Sequence, residues 1–231
     1  MIATATLLGR GIYSPSEAAM YARVRPQTLN RWLFGNSQGD PAIISEVRND
    51  EKVVTFLDFV QLLAVRDIRF KHKVPLPKIR QAVELARSRG ITYPFAVQHK
   101  TFLFGDMKDD GHGEVIIEIE GNLIQASGHE RGNLVMREVA ELYMRDLYFD
   151  PKTNLASKYH PFGESLKRAV VMDPKVRFGE PMIESCGYSA EALFDAYTIE
   201  GGIEHAAKAY GVEPSEIETA IRYFDLLGVS V

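Results

Sequence analysis

Cysteine is almost absent: the 231 residues contain one, Cys186. A lone thiol cannot close an internal disulfide, so folding must rest on a packed core, and a reducing cytoplasm is the expected setting. Long apolar runs are missing too. Nothing approaches the roughly 20 consecutive apolar residues of a membrane-spanning helix, so no membrane partner is expected. The opening Met1-Ile2-Ala3-Thr4-Ala5-Thr6 lacks the basic flank and apolar core of a secretory leader. With 45% hydrophobic and 25% charged residues, and no repeat of fixed period, the chain reads as one or two globular domains.

Catalytic signatures are equally scarce. His72, His99, His112, His129, His160 and His205 are scattered without zinc-type spacing. The Asp106, Asp109, Asp110 and His112 loop lacks the distal glutamate placement of a calcium-binding EF-hand and reads as a solvated turn. There is no Gly-x-Ser-x-Gly elbow and no Walker-type phosphate loop, and the glycines punctuate turns. The expectation is a protein that is not an enzyme, with no metal and no cofactor.

What is present is a division of charge. Residues 1–100 hold 15 Lys+Arg against 8 Asp+Glu, a net +7, whereas residues 101–231 hold 12 against 23, a net −11. The last stretch, 169–231, carries 4 basic and 11 acidic groups, a net −7. A basic front suits a polyanion, and an acidic back would be repelled by one.

Local signals organise the front. Ser14-Pro15-Ser16-Glu17 has the spacing of a capping box with proline at the first helical position. Pro26 opens a second short helix in which Leu29, Trp32 and Leu33 share one face, leaving Gln27, Thr28, Asn30 and Arg31 mostly outward. The pair has the dimensions of a helix-turn-helix. Ala42–Val47 and Lys52–Phe56, joined by Arg48-Asn49-Asp50-Glu51, read as a β-hairpin. Two helical patterns then run from Leu57 to Ile68 and from Leu76 to Gly90.

Further on, Phe102–Phe104 reads as a strand, and Glu114–Glu120 and Leu123–Ser127 as a hairpin across Gly121-Asn122. A helix is expected over Asn133–Leu147 and a turn at Asp150–Asn154. Ala169–Pro174 and Val176–Ile183 read as short strands, followed by helices over Ala190–Ile199, Ile203–Tyr210 and Pro214–Leu227.

Tyr13–Ala19, Thr28–Trp32, the hairpin and Leu76–Arg80 together resemble the winged helix-turn-helix of the mercury-resistance (MerR) regulators. That resemblance implies a second helix in the DNA major groove and a wing on the backbone. Gln27, Thr28, Asn30 and Arg31 would then face base edges or phosphates, with Arg23 and Arg25 at the turn and Arg48 and Lys52 on the wing. Asn and Arg suit this because they bond adenine and guanine edges in bidentate fashion. Arg25 stands where a serine-type cap is common, which costs about 1 kcal/mol of capping but adds a cation.

Val171–Ile183 resembles the opening motif of domain-of-unknown-function family 433, and Ile203–Gly211 and Ile217–Tyr223 continue the pattern. Glu184-Ser185-Cys186-Gly187 replaces the Gly-Thr-Arg-like turn often found in that family. The family is associated with VapB-type antitoxins that pair with ribonucleases of PIN-like fold. The order of modules, including Lys158-Tyr159-His160-Pro161 between the ends, resembles such an antitoxin.

These readings imply a mainly helical α+β chain in three parts: a MerR-like DNA-binding domain at 1–93, a small α+β module at 94–168, and a three-helix, helix-turn-helix-like domain with short strands at 169–231. The implied function is a type II antitoxin, a homodimer that binds operator DNA through 10–60. Its acidic back would neutralise a PIN-like ribonuclease toxin, with Arg177 and Arg222 as candidate contacts for that enzyme's carboxylates. Glu213, Glu216, Glu218 and Asp225 make the terminal helix pair a poor DNA reader, although a merely solvated acidic face explains the charge equally well. A MerR-type transcriptional regulator with a ligand-sensing C-terminal region is the alternative.

Overall fold

The computed structural model describes residues 11–35, 42–44, 53–98, 103–104, 115–119, 122–125, 140–141 and 146–229. In chain order these form β1 (Ile12–Tyr13), α1 (Pro15–Tyr21), α2 (Pro26–Phe34), β2 (Val54–Thr55), α3 (Phe56–Phe70), α4 (Leu76–Ser88), β3 (Leu103–Phe104), β4 (Val115–Ile119), β5 (Asn122–Gln125) and β6 (Ala140–Glu141). They continue with β7 (Leu147–Phe149), β8 (Ala156–Tyr159), β9 (Val170–Val171), β10 (Met182–Ile183), α5 (Ala190–Glu200), α6 (Ile203–Tyr210) and α7 (Pro214–Leu227). The fold is α+β and mainly helical, with small antiparallel sheets. Among the described residues no helix is long and apolar enough to cross a membrane.

Compactness divides the chain in two. A head unit comprises Ser14–Arg145 and Phe149–Ala156; a tail unit comprises Met1–Tyr13, Asp146–Tyr148 and Ser157–Val231. The boundaries read from sequence, after 93 and after 168, each fall within one of these units.

In the head unit α1 starts as its spacing predicts. The Ser14 hydroxyl accepts from the Glu17 amide at 3.2 Å, and the Glu17 carboxylate accepts from the Ser14 amide at 2.7 Å. A second capping box starts α3, where Thr55 and Asp58 exchange the same pair of bonds at 3.2 and 3.3 Å. This corrects the hairpin reading: Phe56 is the first residue of α3, and the strand is only Val54–Thr55. Ala42–Ile44 is not a strand either. Ile43 and Ile44 are buried in a bend, and both backbone amides donate to the Trp32 carbonyl, at 2.7 and 3.2 Å. A carbonyl at the end of α2 needs a donor, and Ile43 and Ile44 supply two. Residues 45–52, including Arg48 and Lys52, lie outside the described residues.

The four-stranded sheet runs β5-β4-β3-β6. Its hairpin closes on the pair Ile119↔Asn122, so Asn122 is a strand residue and not part of the turn. The helix expected over 133–147 is contradicted where it is described. Ala140–Glu141 pairs antiparallel with Leu103–Phe104, and Leu147 belongs to β7. Leu134, Val135, Val139, Leu142 and Met144 fit a helical period only loosely, and strand pairing with β3 overrides it at 140–141. The Asp150–Asn154 turn forms as expected, with Asp150 Oδ1 accepting from the Lys152 and Thr153 amides at 2.9 Å each.

In the tail unit α5, α6 and α7 lie within one residue of their expected bounds and pack on one another through Leu193, Ala196, Ala206, Ala207, Ile217, Ala220 and Phe224. Strands form at β9 and β10, with Met182↔Val171 and Ile183↔Val170. The strand expected from Val176 does not form before Met182. Instead Arg177–Gly179 makes a 3-10 turn in which Arg177 and Phe178 have φ of +45° and +56°. Left-handed backbone costs an L-residue about 1–2 kcal/mol, so this tip is held from outside itself. The buried Tyr13 hydroxyl donates to the Gly179 carbonyl at 2.8 Å, and a Cβ at Gly179 would collide with that hydroxyl.

Trp32 is 2% exposed, and its ring lies 5.9 Å from that of Phe70. Trp32→Ala is expected to destabilise the head by about 3–5 kcal/mol, the range for truncating a large core aromatic. Urea denaturation followed by circular dichroism checks this; an unchanged midpoint contradicts the assignment of Trp32 to the core.

Candidate nucleic-acid interface

Nine residues, Pro26–Phe34, make up α2, and its two faces differ sharply. Leu29, Trp32 and Leu33 are buried; Gln27, Asn30 and Arg31 are exposed, and Thr28 is half-buried. The period that buries the indole therefore turns an amide, a second amide and a guanidinium towards solvent. Pro26 supplies a preset φ at the first helical position. Arg25, at the N-cap, makes no side-chain cap and is exposed, as is Arg23, which takes φ of +51° in the turn. Six of the eight predicted DNA-facing residues thus lie on one helix and its leading turn. The other two, Arg48 and Lys52, lie outside the described residues.

A second set of residues in the head unit escaped the sequence reading. Arg66, on α3, donates from Nη1 to the Ala22 carbonyl at 2.9 Å, closing the C-terminal end of α1. Its Nε and Nη2 both donate to Asp67 Oδ1, at 2.8 and 2.7 Å, while Lys71 Nζ reaches Asp67 Oδ2 at 2.6 Å. The Asp67 carboxylate is nearly buried, so these charge-assisted bonds work in a medium where each is stronger than in water. They fix where α1 ends, and the Arg23–Arg25 turn starts there. An adjacent-residue Arg-Asp dipeptide carries no periodicity, which is why it went unread.

At the end of α3 and just past it the chain runs through Arg69-Phe70-Lys71-His72-Lys73, with Phe70 60% exposed and both lysines exposed. The Phe70–Trp32 ring contact places this basic turn behind α2. The run is plain in the sequence, and only the contact gives it meaning. Burial holds the His72 imidazole below its usual value, against the opposing pull of Asp67 and with a smaller push from Lys71 in the same direction.

The two toxin-contact candidates lie in the tail unit. Arg177, in the strained tip, is exposed and ion-paired with Glu180. Arg222 is exposed on α7, along the same stripe as Glu218 and Asp225. Glu216 is tied into structure instead: its carboxylate accepts from the Glu213 amide at 2.9 Å and from the Ser185 hydroxyl at 2.5 Å. Among the described residues no three His, Cys, Asp or Glu side chains group as a metal site would.

Arg66→Ala is expected to cost about 2–4 kcal/mol, because it strips two bonds from a buried carboxylate. Replacing Arg66 and Asp67 together by leucine should cost less than the single change. Chemical denaturation of both variants separates the cases, and a double variant worse than the single contradicts this account. The depressed His72 pKa sets a sign for pH dependence: the unfolded chain binds this proton more readily. Its contribution is therefore full above the ordinary value of 6.5 and is lost as pH falls from there through the folded value. Thermal melts at descending pH should show the loss in the native chain and less of it in His72→Gln.

No family model matches the chain. It is 26% identical over 235 residues to the uncharacterized protein Rv2308 of Mycobacterium tuberculosis, an alignment covering 94% of this chain and 92% of that one. The crystal structure of Rv2018 from Mycobacterium tuberculosis superposes with a TM-score of 0.59 at 20% identity, over 90% of this chain and 96% of that one. The second likeness shows that the fold described above recurs over nearly the full length of another protein.

Proposed function

We propose that this chain is the antitoxin of a type II toxin-antitoxin pair. It is a cytoplasmic, non-enzymatic homodimer that binds its own operator and neutralises a PIN-like ribonuclease. The observation that carries the DNA half is the open face of α2. Gln27, Asn30 and Arg31 are exposed while Trp32 seats the helix from behind, the arrangement a major-groove reader needs. The exposed Arg23 and Arg25 add cations at its entry. The ribonuclease half rests on the resemblance of Val171–Ile183 and the helices after it to an antitoxin-associated module, and on the net −7 of residues 169–231. Exposed Glu213, Glu218 and Asp225 on and before α7 would repel phosphate, which leaves a protein as the fitting partner for this end.

Operator binding by the full chain, followed by fluorescence anisotropy on DNA from upstream of its own gene, should weaken steeply as salt rises. Arg31→Ala should lose about 1–3 kcal/mol of operator affinity and relax base preference while still silencing the ribonuclease encoded beside it. Salt-independent binding overturns the DNA half. An Arg31→Ala chain that no longer silences the ribonuclease overturns the division of labour between the two ends.

A further inference from the structure

The Lys175–Phe178 tip of the tail unit is displayed and braced at once. Phe178 is 55% exposed and Val176 42% exposed, and Lys175 and Arg177 are exposed beside them. Arg177 and Phe178 are both held left-handed. The brace lies beneath. Asp173 accepts from the Lys175 amide through Oδ1 and from the Val176 amide through its carbonyl, at 2.9 Å each. Lys158 Nζ stands 3.2 Å from the other Asp173 oxygen, and the Tyr13 hydroxyl holds the Gly179 carbonyl. The result is a stiff knob with an apolar crown and the Lys175 cation at its rim, whose ordering is complete before any partner arrives. Glu180 pairs with Arg177, whereas Lys175 has no ion pair among the described residues.

The same unit carries the complementary surface. Ile199, near the end of α5, is 79% exposed, more than any other exposed large hydrophobic side chain among the described residues. Asp195, one turn before it, and the adjoining Glu200 are exposed carboxylates, and Glu204 follows at the start of α6. None of these three has an ion pair among the described residues. The C-terminal carbonyls of α5 add negative potential at this end. An apolar spot rimmed by carboxylates and an apolar knob carrying the Lys175 cation match in both hydrophobicity and sign.

We propose that two copies of this chain associate through their tail units, the Lys175–Phe178 tip of one seated on the Ile199 end of α5 in the other. With two-fold symmetry each copy offers both halves, so the contact is made twice. This deepens the homodimer of the proposed function by naming where its two copies join, and the contact itself involves no DNA and no ribonuclease.

Disulfide trapping on the full-length chain tests it, in a Cys186→Ser background. One batch carries Phe178→Cys, and a second batch, of different tag length, carries Ile199→Cys. Mixed under mild oxidation at micromolar concentration, they should give a linked hetero-pair on a non-reducing gel. Its yield should be about tenfold above that of a control pairing Phe178→Cys with Glu218→Cys on α7. Adding Lys175→Glu to the first batch should cut the yield about fivefold, and Asp195→Lys in the second should restore it. A yield no better than the control overturns the proposal, as does a yield indifferent to both charge changes. So does a tip that stays unlinked yet becomes protected from thiol reagents when the neighbouring ribonuclease is added, since the occupant is then that protein and not a second copy.

Discussion

Trp32 is the point on which the head unit depends, and it acts through two separate groups. Its indole fills the space behind α2 against Phe70, so the helix cannot roll without exposing a large apolar surface. Its carbonyl, near the end of the same helix, receives both the Ile43 and Ile44 amides. One residue thus sets the rotation of α2 and anchors Ile43 and Ile44 against it. With the rotation set, Gln27, Asn30 and Arg31 can only face outward.

The other end of the helix pair is held by charge. Arg66 reaches back from α3 to the last turn of α1 and is itself fixed by Asp67, which Lys71 also grips. Hydrophobic packing alone would leave the length of the turn undetermined, because Arg23–Arg25 buries little. A directional bond to one carbonyl decides it. Within the tail unit the brace of Tyr13 on Gly179 has the same logic. A buried donor bonded to the Gly179 carbonyl specifies a strained turn that apolar contacts would not select.

Helices with strong caps and clean periods were legible. Ser14, Pro15, Pro26, Pro214 and Gly211 announce the ends of their helices through local chemistry, and those ends lie where that chemistry puts them. The Phe56 boundary was not read, although Thr55 and Asp58 form a capping box, because Lys52–Phe56 also fits a β-branched strand run and the two signals overlap. At 140–141 a weak helical pattern gave way to pairing with a strand more than thirty residues away, a term no local window contains. Of the interface, the side chains on α2 were readable from spacing, whereas Arg66 and Phe70 gained a role only from what they touch.

By itself the sequence determined the composition of each surface: which helices are amphipathic, which residues lie on their polar faces, and the opposition of a basic front to an acidic back. Those properties follow from residue type and from periods of a few residues, so no long-range contact is needed to state them. Tertiary structure decided the rest. It pinned Arg177–Gly179 as a left-handed tip instead of a strand, because Asp173 and the distant Tyr13 together supply bonds that a local extended conformation could not replace. It bent Ile43 and Ile44 onto Trp32, because an orphaned carbonyl and two buried amides are cheaper to satisfy together than apart. Both outcomes depend on hydrogen-bond partners brought close by folding, and sequence separation says nothing of that distance.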